Sequence, residues 1–404
     1  MSELMFEAVD MQGEDLGEVP MQVQMGPSHP AMHGTIKMRI ALDGEIVKKA
    51  DVEVGYLHRG FEKSCEASTW TQVFPYTDRL NYVSPLCNNV GYAMAVEKLM
   101  GIQVTERCDY IRMIMSETSR VGDHLTCVGA SAMELGAFTA FLYAIEAREE
   151  IWRITEQVTG ARLTHSYVRI GGLQRDLPAN FAADWKVVAK KVWNVVGDME
   201  ALLNKNRIFL DRMRDVGNIS ADRAISWGFT GPMLRSTGID YDVRKDHPYN
   251  HYDRMEFTVP VGTTGDNYDR YLVRMEEIKQ SMSIIDQCLQ QIEPGPFNAE
   301  APGVLLPTKD EVYGSIEGTI EHFKIIMEGI NVPAGEVYSY TEAGNGELGF
   351  YLVSVGEGRP YKCRVRPPCW SFMQAVHELI EGWQIADIVP TFGSVNMIGG
   401  ECDR

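Results

Sequence analysis

Apolar and polar residues alternate on both sides of a short Gly- and Pro-rich stretch near the start of the chain. MQVQM (21–25) and TIKMRIALDG (35–44) carry the period of two that a half-buried strand needs, and GPSHPAMHG (26–34) lies between them. The pattern predicts two paired strands joined by a nine-residue loop. Apolar residues then recur every three or four positions, the spacing of one helix face, near 78–100, 106–121, 123–159, 183–215 and 265–292. GGLQRDLP (171–178) and PVGTTGDN (260–267) break that period. After about residue 294 the texture changes. EPGPFNAEAPGVLLP reads as an extended linker, and GEVYSYTEAGNGELGFYLVSVGEGRPYKCRVRPP as short strands joined by glycine turns. The expected organisation is an acidic, disordered tail over 1–19, an N-terminal α/β part over 20–75, a helical bundle over 76–293 and an extended, partly β portion over 294–404. That is an α+β protein with a mostly helical core.

One run raises the question of a membrane span. LTCVGASAMELGAFTAFLYAI (125–145) is long enough to cross a bilayer and carries a single charge, Glu134. An acid at the centre of a span costs about 2.5–3.5 kcal/mol. With its many Gly, Ala, Ser and Thr residues and no second such run in the chain, it reads as a helix buried in the bundle.

Charge narrows the partners. Fifty-six acids against 38 bases leave a net charge of −18, which argues against nucleic acid and against docking on anionic lipid. A basic protein partner is compatible with it. The first 19 residues are acidic and lack the basic and apolar blocks of a signal peptide, so a cytoplasmic location is expected. The eight cysteines (65, 87, 108, 127, 288, 363, 369 and 402) show no CxxC spacing and read as buried thiols. A zinc or iron–sulfur site built by this chain alone is not expected.

Four places hold candidate chemistry. His29 and His33 sit on the 26–34 loop, where side chains can enter a cleft. As an HxxxH metal pair they lack a third ligand, and Pro30 prevents the regular helix that presents such pairs; the other reading is a surface loop with two incidental histidines. In YTDRLNYVSPLCNN (76–89), helical spacing would put Arg79 and Tyr82 on one face, next to a polar pocket. The competing reading is a helix start with Asp78 at the positive end of the dipole and a tyrosine in ordinary packing. Glu134, alone in an apolar helix, is paired, protonated or functional, because an isolated buried charge is costly. In RLTHSYVRIGG (162–172), His165 and Arg169 share a helical face or end, a weak signal by itself.

The same stretches carry a family resemblance. GPSHPAMHG, GYLHRGFEK (55–63), YTDRLNYVS, VTGARLTHSYVRIGG, TGIDYDVRK (237–245), GDNYDRYLVRMEE (265–277), GELGFYLVS (346–354) and the final DR together resemble the quinone-site (D-type) subunit of bacterial respiratory complex I, in order and spacing, from about residue 20 to 404. That family is related to the large subunit of nickel–iron hydrogenases. Against the hydrogenase pattern RVCGIC this chain reads Arg79-Leu80-Asn81-Tyr82-Val83-Ser84, so Asn81 and Ser84 stand where thiolates would be. Against the terminal DPCxxCxDR it reads NMIGGECDR (396–404), with Ile398 and Glu401 at the cysteine positions and Cys402 out of register by one. Nickel and iron held by soft thiolates have lost their ligands.

The resemblance implies a hydrogenase-large-subunit-like fold with a quinone pocket where the metal site was. It implies that His33 and Tyr82 hydrogen-bond the quinone headgroup and that an acid at Glu134, usually Asp, pairs with that histidine. It places Arg79 and His165 beside the last 4Fe–4S cluster, which a neighbouring subunit holds, and implies no cofactor or metal bound by this chain alone. The activity implied is proton-translocating NADH:quinone oxidoreduction within a complex. Its expected partners are the terminal-cluster subunit, the C-type subunit of the same complex, membrane-arm subunits and quinone. The expected location is the cytoplasmic side of the bacterial inner membrane, as a peripheral protein. A hydrogenase large subunit is the competing reading, and a related complex fed by reduced ferredoxin or the deazaflavin F420 stays open as well.

Overall fold

The computed structural model describes residues 20–404, so the stretch expected to be a tail, 1–19, lies outside the described residues. Strands β1 (Met21–Met25) and β2 (Lys37–Asp43) pair antiparallel, with Met25 opposite Met38, as the alternation predicts. A third strand that the pattern did not reveal, β3 (Ile46–Glu53), pairs with β2 across a bulge at Ala41/Leu42. Met38, Ile40, Leu42 and Val47 turn inward onto a core shared with the C-terminal helices.

The bundle is built from five long helices: α1 (Pro85–Met100), α2 (Glu106–Glu134), α3 (Phe138–Thr159), α4 (Phe181–Leu203) and α5 (Asn267–Gln291). Their ends follow local chemistry. Thr105 caps α2 by accepting from Cys108 N at 3.3 Å, and Asp266 caps α5 by accepting from Asp269 N at 2.7 Å. Gly101 and Gly160 close α1 and α3 in the left-handed region. At 29 residues α2 is roughly 44 Å long, and it is the central helix, packed against α1, α3 and α5.

Two expectations are corrected here. The helical run predicted over 106–121 and 123–159 is divided elsewhere: α2 passes unbroken through residue 122 and ends at Glu134, and Leu135–Ala137 with Gly136 at φ +87° turn the chain into α3. Glu134 is therefore the last residue of a helix and not the centre of one, and the run 125–145 is a helix hairpin. Among the described residues no helix is long and apolar enough to cross a membrane. The second correction concerns 294–404. It holds the predicted strands as an antiparallel meander, β4 (Gly335–Ala343), β5 (Gly346–Ser354) and β6 (Lys362–Arg366), yet it is also helical over α6 (Ile316–Met327), α7 (Pro368–Ile380) and α8 (Ile388–Val395). Helices α7 and α8 complete the second core against the β1–β3 sheet.

The α2–α5 seam contains a fully buried ionic cluster. Glu117 meets Arg120 and Arg244, each at 3.1 Å, Arg244 meets Asp242 at 2.7 Å, and Arg235 joins Glu277 at 2.6 Å and Glu342 at 2.9 Å. Such clusters add little net stability, but removing one partner costs about 3–5 kcal/mol. They therefore fix the register of α2 against α5 and against β4.

Candidate functional site

The two cores meet at the C-terminal segment, and a pair of glycines there lets the candidate residues approach. A Cβ added to Gly400 would stand 2.6 Å from Arg79 O, 2.8 Å from Leu80 O and 3.2 Å from the Tyr82 ring. One added to Gly399 would lie 3.6 Å from Gly34 Cα, next to His33. Gly393 on α8 plays the same part for Glu134, whose Oε2 would be 2.7 Å from a Cβ there. Larger residues at these positions would push the elements apart.

His33 and Glu134 form a direct pair: Nε2 stands 2.6 Å from Oε1, with the ring N–H donating to the carboxylate. The other oxygen, Oε2, is buried and makes no hydrogen bond among the described residues. His29, by contrast, is exposed, and its Nδ1 accepts from Ala31 N at 3.2 Å. Among the described residues no group of three or more His, Cys, Asp or Glu is placed to hold a metal ion.

Arg79 and Tyr82 do not share a helix face, because residues 80–84 form an irregular turn ahead of α1. Pro85 at the first turn of α1 sets that boundary. Tyr82 is half-buried, its hydroxyl makes no hydrogen bond among the described residues, and burial raises its pKa. Arg79 is exposed and donates to Pro75 O. Its neighbour Asp78 is buried and accepts from Ser166 N at 2.9 Å, which ties the Arg79 turn to the His165 segment. His165 is buried, and burial pushes its pKa down to about 4, with the Arg162 backbone opposing the shift. It lines a small void with Val83, Ser119 and Trp152.

Three of the four positions where the hydrogenase pattern has cysteine are joined by hydrogen bonds. Asn81 and Ser84 both donate to Asp123 Oδ2, Asp123 Oδ1 accepts from Asn396, and Asn396 pairs with Asn345. Glu401 Oε2 accepts from the Cys369 thiol at 3.2 Å and from Asn345 at 3.4 Å. Burial lifts the Glu401 carboxyl to about 7. Asn81, Ser84 and Glu401 put hard or neutral groups where the hydrogenase pattern has soft thiolates, a poor match for a nickel–iron centre.

Several residues here escaped the sequence reading. Asp123, Asn345, Asn396 and the glycines at 393, 399 and 400 had no assigned part. Asp403 accepts from Gly55 N and Leu57 N, both at 2.8 Å, and Arg59 donates to Gly400 O at 2.7 Å and Arg79 O at 3.0 Å. The GYLHRG stretch is thereby clamped to the C-terminal segment. The doublet Gly399–Gly400 just before the final Asp-Arg was the available signal.

Fold and site together define a mostly helical α+β protein in which the Tyr82 turn and the loop of the His33–Glu134 pair both pack against the C-terminal Gly399–Gly400 doublet. Comparison with known proteins makes this particular. The family model described as respiratory-chain NADH dehydrogenase, 49 Kd subunit, matches residues 134–404. A D-type subunit of the NADH-quinone oxidoreductase of Sorangium cellulosum is 60% identical over 391 residues, which cover 96% of this chain and 97% of that one. The D-type proteins of the same enzyme from Pelobacter propionicus (54% over 382 residues, 95% of each chain) and Leptospira biflexa (48% over 390 residues, 96% of each) are also similar. The chain belongs to this family, the D-type subunits of NADH-quinone oxidoreductase, and is part of an oxidoreductase complex.

Proposed function

We propose that this chain forms one wall of the site where a quinone is reduced to quinol, with Tyr82 and His33 hydrogen-bonding the two carbonyl oxygens. The observation that carries the reading is the Gly399–Gly400 doublet, which the Tyr82 turn and the His33 loop both approach. Reduction takes two electrons and two protons per quinone. The electrons come from an iron–sulfur cluster in a neighbouring subunit, on the side of Arg79 and His165. The protons call for groups that bond both oxygens in a cleft shielded from water, and an imidazole and a phenol suit that need. Glu134 answers a charge change on His33 through their 2.6 Å contact, and its rearrangement starts the signal to membrane subunits that move protons. The partly exposed His33 and Tyr82 leave the other wall to a partner subunit, which accords with a peripheral position on the cytoplasmic face of the membrane.

Photolabelling tests this directly. An azido-quinone irradiated in the assembled complex should label this chain within 26–36 or 79–84, in competition with native quinone. Labelling confined to other subunits, or to distant parts of this chain, would remove the proposal.

A further inference from the structure

Tyr82 stands on the least regular backbone in the site. Residues 80–84 belong to no helix or strand, so no ladder of backbone hydrogen bonds holds them. Within the turn, Asn81 Oδ1 accepts from Val83 N at 3.1 Å and Ser84 N at 3.3 Å, which shapes it but anchors it to nothing. Asn88 Nδ2 donates to Asn81 O at 2.9 Å and ties it to α1, its own continuation in the chain. A tie to α2 comes from one side chain. Asp123 Oδ2 accepts from Asn81 Nδ2 at 3.0 Å and from Ser84 Oγ at 2.8 Å, the residues just before and two after the tyrosine.

The same carboxylate reaches the opposite side of the site. Its Oδ1 accepts from Asn396 Nδ2 at 3.0 Å; the same nitrogen donates to Asn345 Oδ1 at 2.7 Å, and the Asn396 carbonyl accepts from Asn345 Nδ2 at 3.0 Å. Asn345 sits in the two-residue turn between β4 and β5, and its neighbour Gly344 makes room: a Cβ there would be 2.2 Å from Asp123 Oδ2. Asp123 is fully buried and forms no ion pair among the described residues, although arginines fill the adjoining cluster. A dehydrated carboxylate with only neutral donors is a poor way to stabilise a fold. As an organiser of neutral donors from three segments it is apt.

We propose that Asp123 is a positioning residue for quinone reduction: by holding Asn81 and Ser84 on either side of Tyr82, and Asn396 opposite, it sets where the phenol hydroxyl stands relative to the substrate. It touches no substrate itself and acts through Tyr82. The proposal rests on the quinone-site reading of Tyr82.

A double-mutant cycle separates the two. Quinone reduction is measured in the assembled complex for Asp123→Asn, Tyr82→Phe and the pair, with NADH oxidation by ferricyanide as the control for assembly and electron entry. Asp123→Asn should lower quinone reduction about tenfold with the ferricyanide activity kept, and should add less than about twofold once the hydroxyl is already missing. Losses that multiply in the pair, or full quinone turnover in Asp123→Asn, overturn the proposal. If Tyr82→Phe alone reduces quinone like wild type, the reading of Tyr82 itself fails, whatever Asp123 does. Should Asp123→Asn not assemble, Ser84→Ala removes one of the two bonds on that oxygen and carries the same cycle. A loss of about threefold that vanishes beside Tyr82→Phe supports the proposal, and an undiminished loss overturns it.

Discussion

His33 Nε2 and Glu134 Oε1 are 2.6 Å apart although 101 residues of chain separate them. The contact joins the loop between β1 and β2 to the last residue of α2. A carboxylate at a helix C-terminus faces the negative end of the dipole, so Glu134 is electrostatically misplaced unless a cation or proton donor compensates. His33 is that donor.

Charge at Glu134 should therefore matter more than its shape. Glu134→Gln keeps an oxygen for His33 but no charge, and the loss of a charge-assisted bond is worth about 1.5–3 kcal/mol. Quinone reduction and proton pumping should both fall, by roughly tenfold or more. Glu134→Asp keeps the charge and should retain substantial function. Wild-type behaviour of the Gln variant in both assays would make the carboxylate merely structural.

Which parts of this fold can be read from the chain follows from the solvent pattern of each element. β1 and β2 alternate and were legible. β3 was not, because in IVKKADVE only Val47 and Ala50 are buried and four of the other six residues are charged. The α2–α3 hairpin was hidden because Leu135–Ala137 continue an apolar run, leaving only Gly136 to mark the turn. His33, Tyr82 and Glu134 stood out as candidates from their settings in the sequence, and the family resemblance supplied their expected roles. Asp123 did not, because a polar residue on a helix is assigned to solvent by periodicity, whereas α2 is buried on every side over much of its length.

The isolated subunit should bind no nickel and no iron. Asn81 and Ser84 are committed to Asp123, and Glu401 to Cys369 and Asn345, so no set of four thiolates exists to hold such a centre. Elemental analysis of the purified chain should show only traces of either metal. Near-stoichiometric nickel or iron would defeat the assignment of this site to quinone.

Glu401 gives the C-terminal segment a pH dependence of definite sign. Its folded pKa is raised to about 7, so between the ordinary carboxyl range and that value the folded state holds a proton that the open state releases. Stability is then full at low pH and declines as pH rises through 7, by at most roughly 3 kcal/mol. Hydrogen exchange over 396–404 in the assembled complex should be faster at pH 8 than at pH 6 after correction for intrinsic rates. Glu401→Gln should flatten that difference; an equal pH response in the variant would assign it to another group.

Tyr82→Phe tests the phenol itself. It keeps the ring against Gly400 and deletes one hydroxyl that has no hydrogen-bond partner among the described residues, so the fold has little to lose. If the hydroxyl bonds a quinone oxygen, its removal should cost on the order of 1–3 kcal/mol of transition-state stabilisation. That is roughly a ten- to hundredfold fall in quinone reduction. On the proposed reading electrons enter the complex on other subunits, so NADH oxidation by ferricyanide should persist and the last cluster should still become reduced. Unchanged quinone turnover would make Tyr82 ordinary packing. Loss of both activities would make it a residue of assembly, since a group that acts only on the quinone cannot stop electrons from entering.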